Sequence, residues 1–103
     1  MSDAEKLAKI FKALSVDKRL RLFMLLRKGP FCVNALAHKL EITPAAVSQH
    51  LRVLREADLV KPDKRGYFVH YTINEDKLKE YGGMIEELIT PTDTEDETHC
   101  RKC

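Results

Sequence analysis

Apolar residues recur at helical spacing through the first half of the chain and then change to the tighter period of extended backbone. Leu7, Ile10, Phe11 and Leu14 fall at i, i+3, i+4 and i+7, which draws one apolar stripe along a first helix. Ser15-Val16-Asp17 interrupts the stripe, and Asp17 is placed to cap a second helix that carries Leu20, Phe23, Met24 and Leu26 as far as Lys28. Gly29-Pro30 stops it, because Gly accepts a left-handed conformation and Pro cannot continue a helix. Phe31 to Val33 reads as a short extended link. Asn34 is then placed to cap a third helix, Ala35 to Leu40, with Leu36, Ala37 and Leu40 inward. After a tight turn at Glu41-Ile42-Thr43, Thr43 is a good N-cap and Pro44 suits a first helical position, where no backbone donor is needed. Val47, Leu51 and Leu54 mark the inner face of this fourth helix.

The period changes at Leu59. Leu59-Val60-Lys61-Pro62 and Tyr67 to Ile73 flank the polar turn Asp63-Lys64-Arg65-Gly66, which predicts a β-hairpin. Asn74 opens a last helix, about Glu75 to Ile89, with Leu78, Tyr81, Ile85 and Leu88 on one face. Gly82-Gly83 in its middle costs up to about 1 kcal/mol per residue relative to Ala, unless small residues there let another helix approach. The predicted order is α-α-α-α-β-β-α. A mainly α domain with two short helices across a tight turn, followed by a hairpin wing, is a winged helix-turn-helix. Residues 1–90 make up that domain, and 91–103 form a flexible polar tail.

Charge sharpens this reading. From Lys18 to Arg65 there are eleven basic and four acidic residues, a net of +7, whereas Gly66 to Thr98 holds two basic and nine acidic residues, a net of −7. A basic middle suits a polyanionic partner. The fourth helix opens with Thr43, Ala45, Ala46, Ser48, Gln49 and His50, the short polar and methyl-bearing side chains that a recognition helix offers to base edges. Gln49 can pair with adenine through two hydrogen bonds, Ser48 suits either base type, and the Ala methyls can meet a thymine methyl. Arg52 suits phosphates, as does Arg55, and the hairpin tip adds Lys64 and Arg65, which fit a wing resting on phosphates or reaching a minor groove. Tyr67 and Tyr71 are read as packing residues in preference to base-stacking ones, and His38 and His70 receive no role.

No apolar run approaches the roughly 20 residues of a membrane span, and no secretory signal opens the chain, so a cytoplasmic protein is expected. Enzyme chemistry finds no Gly-rich phosphate loop, no HExxH pair and no nucleophile beside a base. The three cysteines, Cys32, Cys100 and Cys103, argue against a disulfide scaffold and for thiols.

Three stretches resemble the ArsR/SmtB family of metal-sensing repressors: Ser15 to Leu20, the run TPAAVSQHLRVLREADLV from Thr43 to Val60, and the wing ending Val69-His70-Tyr71-Thr72-Ile73. The resemblance implies a homodimer joined through the first and last helices. It implies two recognition helices on a palindromic double-stranded DNA operator, and a repressor that leaves DNA when an inducer binds. The apolar stripes of the first and last helices agree, since one small domain cannot cover both.

Many members of this family carry Cys-Val-Cys at the third helix. Here the segment is Cys32-Val33-Asn34, with one thiol instead of two. The family's zinc site on the last helix is also missing, with Lys77 and Leu88 near the expected ligand positions. The tail instead ends His99-Cys100-Arg101-Lys102-Cys103, whose Cys-x-x-Cys can clamp one ion and whose cations favour thiolate. A linker from Pro91 to Thr98 spans about 15 Å as a coil and can return the tail to Cys32. Three thiolates suit As(III) or Sb(III), or Cd(II) or Pb(II) with one more ligand. No cofactor is needed for DNA binding itself. A redox switch between Cys100 and Cys103, a passive tail, and a winged-helix protein-interaction module without DNA binding stay open at this point.

Overall fold

The computed structural model of the chain describes residues 2–65 and 67–92, apart from the side chain of Arg65. Its elements are α1 (Asp3–Leu14), α2 (Asp17–Leu26), β1 (Phe31–Cys32), α3 (Val33–Leu40), α4 (Pro44–Glu56), β2 (Val60–Arg65), β3 (Phe68–Ile73) and α5 (Glu75–Ile89). The predicted order therefore stands, with one strand added. The extended link at Phe31 pairs antiparallel with the outer edge of the hairpin, Phe31 opposite Tyr71 and Cys32 opposite His70, giving a three-stranded sheet in the order β1-β3-β2. A two-residue strand carries too little pattern to be read from sequence, and it forms because β3 offers it unpaired backbone groups.

Caps moved for related reasons. Cys32, not Asn34, is the N-cap of α3, so the helix starts at Val33 directly after its strand pairing ends, and no side chain caps it. Val16 rather than Asp17 precedes α2, which ends at Leu26, short of Lys28. Asn74 does precede α5, but its side chain makes no cap bond; its backbone N–H donates to the Leu59 carbonyl at 3.0 Å instead. Gly29, with φ +148°, takes the positive dihedral that the stop after α2 needs. Asp63, Lys64 and Arg65, expected in the hairpin turn, belong to β2 and pair with His70, Val69 and Phe68.

The core is formed by one face of each helix. Leu22, Leu36, Val47 and Leu54 are completely buried, and Ile10, Leu26, Leu51, Leu59 and Val60 nearly so. In α2 the inner face is Leu22, Phe23 and Leu26, while Leu20 and Met24 are exposed. That stripe misled because six of the seven residues from Leu20 to Leu26 are apolar, so periodicity alone does not choose a face. In α1 and α5 the apolar stripe is only half covered. Ile10 and Tyr81 are buried, whereas Phe11, Leu88 and Ile89 are exposed.

Two polar ties hold α1 and α5 in place. The Lys6 ammonium reaches Glu80 at 3.4 Å, and it is the main reason the Glu80 carboxyl titrates below its ordinary value, with Lys77 adding to the effect. The Tyr81 hydroxyl donates to the buried carbonyl of Ala57 at 3.2 Å. Burial, followed by the nearby charge of Asp58, raises the Tyr81 hydroxyl above its ordinary value of 10.0. Tyr81→Phe should therefore lower stability by about 0.5–1.5 kcal/mol, read from denaturant midpoints at neutral pH. The sign of the alkaline limb follows too. The folded state holds this proton more tightly than the unfolded one, so the stabilisation is complete below pH 10 and is lost as pH climbs through the raised folded value. The Phe variant should lack that loss; an unchanged alkaline limb would show that Tyr81 does not cause it.

Candidate nucleic-acid interface

The fourth helix is positioned by its ends and by its inner face. Thr43 caps it, its hydroxyl accepting from the Ala46 N–H at 3.1 Å, and Pro44 occupies the first turn. Both features were legible in the sequence. Val47, Leu51 and Leu54 fix the rotation of the helix by burial, which leaves Thr43, Ala45, Ser48, Gln49 and Arg52 exposed, with Ala46 and His50 half-buried. Pro44 has no N–H, the Ala46 N–H is held by the cap, and the Val47 N–H donates to the Thr43 carbonyl at 3.1 Å, so Ala45 supplies the one first-turn N–H left for a phosphate at this positive helix end. Arg52 lies along the helix and reaches Glu56 at 3.3 Å in an exposed pair, which is weak enough for a phosphate to compete with.

Sequence reasoning missed Arg19. Its guanidinium donates to the carbonyls of Ala13 and Lys12 at the C-terminal end of α1, which ties α2 to α1 where α1's dipole is negative. It also lies close enough to His50 for its charge to help hold the imidazole pKa below 6.5, after burial, the larger cause. No spacing rule could have shown it, because Arg19 and His50 are 31 positions apart. Lys18 similarly bridges α2 to α3, donating to the Leu40 carbonyl at 3.3 Å.

The hairpin carries the second basic element. Lys61 and Lys64 are exposed along β2. Tyr71 and Ile73 pack toward the core, which bears out the packing role expected of Tyr71. Tyr67 does not pack. It is fully exposed at the tip, followed by Phe68 at 67 % and Val69 at 37 % exposure. The expectation for Tyr67 fails because the hairpin extends past the body, so its outermost residues have nothing to pack on.

Cys32 is a free, half-buried thiol at the junction of β1 and α3. It stands opposite His70, which in turn stands opposite Asp63, so the three side chains lie in one row on one face of the sheet. Nδ1 of His70 is buried without a hydrogen-bond partner among the described residues. No three His, Cys, Asp or Glu side chains among the described residues converge closely enough to hold a metal ion. Cys100 and Cys103 lie outside the described residues. No helix among the described residues is long and apolar enough to cross a membrane.

Comparison with known proteins agrees with this geometry. Residues 17–61 match the family described as bacterial regulatory protein, arsR family. The chain is 36% identical over 89 residues to an HTH-type transcriptional regulator of Methanocaldococcus jannaschii, a match covering 85% of this chain and 100% of that protein. It is 34% identical over 79 residues to the arsenical resistance operon repressor of Bacillus subtilis, covering 76% of this chain and 73% of that protein. Among solved structures, it is similar to the homodimeric winged helix-turn-helix DNA-binding domain Mb0332 from Mycobacterium bovis. The TM-score is 0.69 at 24% identity, over 82% of this chain and 79% of that one. A likeness at that identity concerns the fold, which is a winged helix-turn-helix.

Proposed function

The chain belongs to the arsR family of bacterial regulatory proteins, and on that footing we propose that it is a homodimeric, cytoplasmic repressor released from a palindromic operator by a thiol-binding inducer. As a member it is a transcriptional regulator and not an enzyme. The observation that carries the DNA-binding reading is the division of α4, where three buried residues lock the helix while its opening turns are presented to solvent. Thr43, Ala45, Ala46, Ser48, Gln49 and His50 then read base edges, with Arg52, Lys64 and Arg65 on phosphates. A Gln49→Ala variant should lose about 1–3 kcal/mol of discrimination between a duplex recovered by in vitro selection and its scrambled counterpart. Equal discrimination in the variant would remove Gln49 from the base contacts.

Dimerisation is supported by what α1 and α5 leave uncovered. Phe11, Leu88 and Ile89 are exposed, and nothing lies within 4 Å of where a Cβ would stand on Gly82 or Gly83. A second copy bringing its own first and last helices can cover these residues and approach closely at the glycines. The related M. bovis domain is itself a homodimer.

For the inducer, the B. subtilis relative is a repressor of arsenical resistance. Cys32 offers one half-exposed thiol at the third helix, and the tail sequence from residue 91 offers Cys100 and Cys103. Three thiolates from these positions would take As(III) or Sb(III), or Cd(II) or Pb(II) with a further donor.

A further inference from the structure

We propose that the tip of the wing is an aromatic wedge, with Tyr67 and Phe68 entering the minor groove beside each half-site and opening a base step. The inference rests on the DNA-binding reading above and adds to it a site of local DNA distortion. Exposure rises steadily toward the tip, from half-buried His70 through Val69 to Phe68 at the start of β3 and fully exposed Tyr67 in the turn before it. Two adjacent aromatics left outside a folded chain of 103 residues are unusual, because each has about 150–250 Å² of surface to bury. The fold gives them no cover, since the residues of β3 that reach the core are Tyr71 and Ile73.

The partner is indicated by what else the hairpin holds. Lys61 and Lys64 are both exposed on β2, and Lys64 stands directly opposite Val69 in the ladder. The arm thus carries two exposed cations on β2, with the half-buried Asp63 between them, and is aromatic at its end. A matching partner presents anions at the rim and flat apolar faces within, which is the chemistry of a duplex groove with its phosphates outside and base stacks inside. Apolar side chains inserted between base steps unstack them and kink the duplex, and the bend then exposes more backbone to the protein. Pyrimidine–purine steps unstack most easily, so the wedge would contribute sequence preference at a position no hydrogen bond reads.

The test uses the full-length protein and a duplex recovered by in vitro selection, with 2-aminopurine placed at successive steps outside each half-site. Wild type should raise the fluorescence at one step on each flank by at least about twofold, as a base leaves its stack. Tyr67→Ser with Phe68→Ser should abolish that rise and weaken binding by roughly tenfold at every salt concentration. Its salt slope should remain that of wild type, whereas Lys64→Ala should lower the slope by about one. Both aromatics are exposed, so the variant should keep the wild-type melting temperature, which a scan checks. Tight binding by wild type with no fluorescence change, or an unaltered signal in the double variant, overturns the wedge and leaves the DNA-binding reading intact. Failure of wild type to prefer any duplex overturns that reading instead. Partition onto vesicles of equimolar phosphatidylcholine and phosphatidylserine that depends on Tyr67, with DNA affinity independent of it, also overturns the wedge and assigns the tip to a lipid surface.

Discussion

Leu51→Ala should destabilise the protein by about 2–5 kcal/mol, a large part of the 5–15 kcal/mol that holds a typical domain together. Leu51 is 1 % exposed in the middle of α4, packed in the same core cluster as Leu22, Leu36 and Leu54. Alanine is the best helix former, so the substitution does not weaken the helix itself, and the loss measures packing and the cavity left behind. For a chain of this size the midpoint of thermal unfolding should fall by roughly 10 °C or more. Matched protein concentrations are needed, because a dimer's melting point depends on concentration. The same variant should weaken selective DNA binding even below its melting point, since Leu51 helps fix the rotation that presents Gln49. A loss under about 1 kcal/mol would mean that α4 is not held by its buried face.

The second large effect concerns induction. Cys100→Ser together with Cys103→Ser should leave DNA affinity unchanged and abolish release by arsenite, measured as fluorescence anisotropy of a labelled duplex. Cys32→Ser should do the same if three thiolates form one site. The physical ground is ligand softness: among the described residues no complete set of donors exists, and hydroxyls are poor ligands for a thiophilic ion. Arsenite release that persists in the tail variant would take Cys100 and Cys103 out of the mechanism. Release by an oxidant in wild type, with none by arsenite, antimonite, cadmium or lead, would replace ion binding by a redox switch.

The parts of the fold legible in the sequence are those where one local signal acted alone. Thr43-Pro44 announced a helix start, and Val47, Leu51 and Leu54 announced its inner face, because a capping hydroxyl and an i, i+4, i+7 stripe need no tertiary partner to be read. The errors arose where tertiary partners decide. β1 exists because β3 accepts it, and that same pairing moves the start of α3 from the expected Ala35 to Val33. The inner face of α2 could not be chosen within a nearly continuous apolar run. Tyr67 was assigned to packing by residue type alone, yet its exposure is set by how far the hairpin extends beyond the body. Within the candidate interface, the order of side chains along α4 was readable, while the effect of the Arg19 charge on His50 became visible only when α2 and α4 were brought together.

Hydroxyl-radical footprinting of the full-length protein on a selected duplex bears most directly on the proposal that two copies present their recognition helices together. Two protected patches related by a two-fold axis, with centres about 34–36 Å apart or a multiple of that and two chains bound per duplex, are the predicted result. A single patch with one chain bound, or uniform protection along every sequence tried, would contradict it.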